Sequence, residues 1–232
     1  MNKTIVQPSR DAMVEAKLKQ KFGESFQGQI TQSYLRMEND TVDGQGSYIY
    51  DIRSAKGNAT ATEFLLNEND SFHASYVALF LGVRTAANPA AAVLQTYPNQ
   101  VLFADETAAN PAGTFDPNHL EAFYNGRMQL KVGDTTFIPG LDLRNSRHVP
   151  NNQQASATTK SQQDAKDGVI SLHPPFTLSG KDNNELSIVI PAANGLKVQY
   201  TTSAHAGLKV FSCLYLIGYR ITGGARVKNA VL

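Results

Sequence analysis

Tryptophan is absent from the 232 residues and cysteine occurs once, as Cys213. A single thiol excludes an intramolecular disulfide and a zinc site built on several thiolates, so the fold must hold by packing rather than by cross-links. Set inside the apolar run VFSCLYLIGY, Cys213 reads as a small core residue. An excess of one charge sign is lacking too. The 21 Lys and Arg against 20 Asp and Glu leave a net charge of +1, which provides no molecule-wide field to draw in nucleic acid, acidic substrates or an anionic membrane. No apolar run approaches the roughly 18 residues of a membrane-spanning helix, and the opening MNKTIVQPSRDAMVEAK has no apolar stretch long enough for a secretion signal. The reading is a soluble chain made in a cytoplasm, on which the sequons at Asn2, Asn39 and Asn58 are chance matches.

Catalytic signatures are missing as well. No HExxH, GxSxG, phosphate-binding loop or dinucleotide fingerprint occurs, and Gly44-x-Gly46 is a glycine turn without a following helix to cradle phosphate. The five histidines, His73, His119, His148, His173 and His205, never share a face at ligand spacing. Acidic clusters lie at 67–70, 104–106, 164–168 and 181–185 without the spacing of a calcium loop, and read as turn chemistry. Paired carboxylates for glycoside hydrolysis would have to come from distant strands, and with no tryptophan any sugar stacking falls to tyrosine and phenylalanine. The sequence therefore predicts a protein that is not an enzyme, with no catalytic residues, no cofactor and no metal site.

What is present fits one globular domain, with 41% hydrophobic and 18% charged residues. One helix is marked near the start: Ser9 as cap, Asp11 in the first turn, Lys17, Lys19 and Lys21 towards the end, and Gly23 as the stop. Met13, Val14, Leu18 and Phe22 recur at spacings that predict an amphipathic helix. We divide the chain into a helical arm, 1–24, and a single β-sandwich domain, 25–232.

The domain reads as strand after strand. SYIYDIR (47–53), TEFLL (62–66) and SFHASYVALFLGVR (71–84) are β-rich runs. The hexapeptide TAANPA occurs at 85–90 and again at 107–112, and between the copies AAVLQTY and QVLFADE predict a hairpin turning at Pro98-Asn99. In FYNGRMQLKVGDTTFIPGLDL (123–143), Met128, Leu130 and Val132 alternate with Arg127, Gln129 and Lys131, the period of a strand with one buried face. Asn125-Gly126 and Gly133-Asp134 read as its two turns, with positive φ expected at Gly126, and Phe137-Ile138 as a returning strand closed by Pro139-Gly140. Residues 145–168 form a long polar loop rich in Gln, Asn, Ser and Thr. VISLHPPFTLSG, ELSIVIP, LKVQYT and LKVFSCLYLIGYRI complete the series, the last apolar on both faces and so placed centrally. One helix followed by many short strands, without βαβ alternation, predicts a mainly β protein: an antiparallel, jelly-roll-like β-sandwich.

Basic residues collect at Arg10, Lys17, Lys19 and Lys21, at Arg144, Arg147 and His148, and at Arg226 and Lys228. Brought together, they could contact phosphates without reading bases. In style FYNGRMQLKVGDTTFIPGLDLRNSRHVP (123–150), followed by PPFTLSGKDNNELSIVIP (174–191), resembles the structural proteins of bacteriophage particles, in particular β-sandwich capsid or capsid-associated subunits. The resemblance covers the second half of the chain. It implies a virion protein made in the host cytoplasm that forms a homo-oligomer, meets other virion proteins, touches packaged nucleic acid at most non-specifically, and has no cofactor and no active site. The arm and the polar loop would be its inter-subunit devices. The alternative is a carbohydrate- or receptor-binding sandwich whose site lies on loops, with Tyr97, Asn99, Tyr124 and Asn125 as candidates.

Overall fold

The computed structural model describes residues 10–22, 28–53, 62–85, 92–96, 105–107, 110–114, 118–147, 168–191 and 208–224, and the structural statements below concern these. Helix α1 (Arg10–Phe22) leads into strands β1 (Ile30–Asp40), β2 (Ser47–Asp51), β3 (Ser71–Thr85), β4 (Val93–Gln95), β5 (Asp105–Thr107) and β6 (Asn110–Thr114). A short helix α2 (Asn118–Tyr124) precedes β7 (Arg127–Val132), β8 (Thr135–Asp142), β9 (Val169–Ser179), β10 (Asn184–Val189) and β11 (Leu208–Ile221). The protein is mainly β, as the sequence predicts.

Two antiparallel sheets form the body. In the larger, β11 lies between β1 and β3, and the far side of β3 pairs with β9 over Ser71–Ala78 and with β4 over Leu81–Val83. The smaller runs β2-β10-β7-β8. Side-chain alternation sets what each sheet buries. Leu35 and Met37 of β1, Leu214 and Leu216 of β11, and Val77, Leu79 and Leu81 of β3 share one core with Tyr48 and Tyr50 of β2, Met128 and Leu130 of β7, and Leu186 and Ile188 of β10. At about 1.5–3 kcal/mol for each fully buried large apolar side chain, this core is the main favourable term.

Alternation in β3 changes phase at one residue. The register steps from Ala74 opposite Gly218 to Tyr76 opposite Ile217, leaving Ser75 as an extra residue in a bulge. Phe72 and Ala74 therefore enter the core from even positions below the bulge, and Val77, Leu79 and Leu81 from odd positions above it. Below the bulge, Asp70 binds both the Arg220 guanidinium, at 2.8 Å from Nε, and the Gly223 backbone N–H. This clasp uses the carboxylate of the 67–70 cluster inside the fold.

Several sequence expectations change here. Helix α1 exists and buries Leu18 against Tyr219 and Ile221, with Ile30 alongside, whereas Met13 is exposed; Ser9, Gly23 and the side chains of Val14 and Phe22 lie outside the described residues. Residues 62–66 make no strand but a strap with isolated bridges from Phe64 to Arg36 and from Leu66 to Arg53. Strand β1 was not anticipated. Of the expected hairpin between the TAANPA copies, the Pro98-Asn99 turn and most of the second strand lie outside the described residues; β4 pairs with β3 and β5 with β6. Asn125-Gly126 is the end of α2 rather than a hairpin turn, with the Asn125 N–H donating to the Glu121 carbonyl. Gly126 has no positive φ. A side chain there is resisted by crowding instead, since a Cβ would lie 3.0 Å from the carbonyl oxygens of Phe123 and Val189. Gly133, with φ of 57°, is the hairpin glycine between β7 and β8. Pro139-Gly140 lies within β8, which tolerates proline because it is an edge strand. Of the polar loop, Leu143–Ser146 form a 3-10 turn capped by Asp142, and 148–167 fall outside the described residues, as do the LKVQYT stretch and its turn.

Candidate functional site

The outer face of the larger sheet carries a row that a plain sandwich surface does not require. Alternate residues of β1 place Tyr34, Arg36, Glu38 and Asp40 there, opposite Ile217, Tyr215, Cys213 and Phe211 of β11, while β3 adds Phe80 and Arg84. Glu38 is the centre: only 1% of its side chain is exposed. One of its carboxylate oxygens accepts from Arg36 Nε at 2.8 Å and from Thr62 Oγ1 at 2.7 Å, and the other from Arg84 at 2.7 Å. Arg84 also pairs with Asp40, and the Glu38 backbone N–H donates to Glu63 of the strap at 2.9 Å. Two guanidiniums converging on one buried carboxylate compensate its lost hydration.

Aromatic rings surround this centre. Arg84 stacks over Phe211 at 4.5 Å and Arg36 over Tyr215 at 5.8 Å. Tyr215 meets Phe80 edge-on at 5.4 Å and Tyr34 at 5.5 Å, and Tyr34 meets Phe64 at 5.4 Å. Tyr34 and Phe64 are 45% and 38% exposed, so the row ends in two aromatic side chains open to contact. They are tilted by 46° to each other and offer no flat platform for a sugar ring.

Burial governs the titrating groups. Cys213, beneath the ion pairs, is pushed up to about 12 by burial, with Arg36 opposing. Burial also raises Tyr50, which shares a hydrogen bond with Ser212, and likewise Tyr48 and Tyr215. In every case the folded value lies above the unfolded one, near 8.5 for Cys and 10 for Tyr. The neutral forms thus contribute stability that is complete below pH ~8.5 and is lost as pH rises towards the folded values. We expect urea midpoints to be level from pH 7 to 8 and to fall steadily from pH 9 to 11. Cys213→Ser should delay the onset of the fall, and a midpoint independent of pH up to 11 would refute this linkage.

The other sequence candidates do not converge. Tyr124 is buried and donates to the Thr96 carbonyl, which removes it from any loop-borne glycan site; Asn125 is exposed, and Tyr97 and Asn99 lie outside the described residues. Arg144 chelates Asp142, holding that carboxyl below the usual range, and Arg147 pairs with Glu121, so these two cations meet carboxylates rather than each other. His148, Arg226 and Lys228 fall outside the described residues. His73 is buried against Thr177 Oγ1, and His173 is exposed beside Ser171. Among the described residues, no group of three or more His, Cys, Asp or Glu could hold a metal ion. The Glu38 centre was missed in the sequence. Its signal was the alternation Leu35-Arg36-Met37-Glu38 within β1.

No protein-family model matches the chain, and no curated protein or solved structure matches it.

Proposed function

We propose that the chain is a virion structural protein, a capsid subunit that assembles with copies of itself into a shell or ring and acts by contact rather than by catalysis. The observation that carries the proposal is the nesting of its strand pairs. Setting aside the insertion between β3 and β7, eight strands remain: β1, β2, β3, β7, β8, β9, β10 and β11. In that order the first pairs with the eighth, the second with the seventh, the third with the sixth and the fourth with the fifth. The eighth then pairs with the third, and the seventh with the fourth. A long antiparallel ribbon rolled on itself has this order, and we assign it as a jelly roll, an architecture used by viral capsid domains and by lectins.

Within this proposal α1 is an amphipathic arm. Met13 stands about 140° around the helix from the docked Leu18 and is free to meet a neighbouring subunit. Tyr34 and Phe64 on the outer sheet face are the second contact. Other virion proteins and, non-specifically, packaged nucleic acid are further partners on this reading. The lectin-like alternative is weakened by the burial of Tyr124 and by the tilt between Tyr34 and Phe64.

The test is the mass of the purified chain by light scattering, with negative-stain imaging across protein concentration and salt. Rings, capsomers or shells are expected. A monomer under every condition, with saturable binding in a glycan screen, would overturn the proposal in favour of the lectin-like reading.

A further inference from the structure

The two sides of the sandwich are closed differently. Along one side the strap at 62–66 joins the edge of β1 at Arg36 to the chain beyond β2 at Arg53. Along the other, β8 is the outermost strand of the smaller sheet, and in the larger β9 shares the far side of β3 with β4. Between β8 and β9 a half-open cleft of about 340 Å³ reaches the core. Phe137, Ile138 and Leu141 of β8 face Leu172 and Phe176 of β9 across it.

An apolar cleft between two sheet edges could take an added strand or a small molecule. Both edges argue against a strand: β8 carries Pro139 and β9 carries Pro174 and Pro175, none of which has an N–H to give a new neighbour. The lining also has a polar corner. His173 is exposed, and its Nε2 lies 3.1 Å from Ser171 Oγ, with both residues bordering the cleft. With the Ser171 hydroxyl donating to Nε2, the imidazole carries its proton on Nδ1 and can donate it to a group that only accepts.

We propose that the cleft between β8 and β9 binds a small amphiphile, a monocarboxylate with a short aliphatic chain. The chain lies along Phe137, Leu141, Leu172 and Phe176, and the carboxylate accepts a hydrogen bond from the Nδ1–H of His173, whose Nε2 is held by Ser171. At ~30 Å³ for each water-sized group, the cleft holds roughly eleven such groups, the size of an eight-carbon acid. The volume falls at the lower end of the range for small-molecule sites.

Sodium octanoate titrated into the full chain, followed by amide and methyl NMR spectra, tests this. Saturable shifts centred on Ile138, Leu141 and Leu172 are expected, with nuclear Overhauser contacts from the octanoate chain to the Leu141 and Leu172 methyls. That contact measurement needs no variant. Leu141→Trp, which fills the cleft, should weaken binding at least tenfold, and His173→Ala should weaken octanoate several-fold while leaving 1-octanol unchanged. Absence of saturation, equal affinity in Leu141→Trp, or contacts elsewhere on the protein would each overturn the site. Equal loss of octanoate and octanol in His173→Ala would overturn the carboxylate assignment.

Discussion

Gly218→Ala is expected to destabilise the fold by about 3 kcal/mol or more, although it adds one methyl group. The extra residue Ser75 in β3 offsets the two central strands of the larger sheet, and the His73 peptide then presses on residue 218 of β11. A Cβ at that position would sit 1.9 Å from the His73 carbonyl oxygen and 3.0 Å from its carbon. The obstacle is backbone in mid-sheet, so relief requires moving one strand away from the other. Typical overpacking costs 1–3 kcal/mol where side chains can shift, and little of that relief is open here. Against a total stability of ~5–15 kcal/mol, the loss is large. Gly44→Ala is the comparison: Gly44 has a φ of 73° but nothing within 4 Å of a Cβ, so its cost should be limited to backbone strain of roughly 1 kcal/mol. Urea unfolding of both variants checks the ranking. A Gly218→Ala protein as stable as Gly44→Ala would refute close packing at the bulge.

The second large effect is expected at Glu38. Glu38→Ala should cost about 3–5 kcal/mol, the usual loss when one member of a buried ion network is removed. The penalty comes less from the lost attraction than from Arg84 and Arg36, whose side chains are 10% and 18% exposed and would keep their charges with less compensation. Glu38→Gln retains an acceptor for Thr62 and one guanidinium, and should fall between the two. The exposed Arg144–Asp142 pair supplies the contrast: Arg144→Ala should leave the urea midpoint almost unchanged, because that pair stays in water. If Glu38→Ala matched Arg144→Ala, the network would be a surface decoration and the proposed contact face would lose its rigid centre.

Much of the fold was legible where one strand's own alternation carried the information. Met128, Leu130 and Val132 are buried as their spacing predicts, β11 sits inside its sheet, and Gly133-Asp134 is the turn between β7 and β8. Illegibility began where a partner far along the chain decides. β1 looks too polar for a strand at Gln32, Arg36, Glu38 and Asp40, and its buried carboxylate is tolerable because Arg84 from β3 joins Arg36 in pairing with it. Helix α2 has 7 residues, too few for its periodicity to stand out, and its Asn125-Gly126 exit imitates a hairpin turn. The cleft between β8 and β9 follows from which strands become edges, and strand order is not written in local pattern.

The nested ribbon also has a consequence in time. Apart from the bridge to Phe64, β1 finds its partner among the described strands in β11, where Ile30 meets Ile221. During synthesis the apolar row of Leu35 and Met37 therefore emerges long before the strand that lies beside it exists. Pairing over such separations is slow, and an exposed strand of this kind is open to wrong partners while it waits. The nascent chain cannot complete its larger sheet until the last long strand has left the ribosome, so a product cut short before β11 would lack the seam that joins β1 to β3.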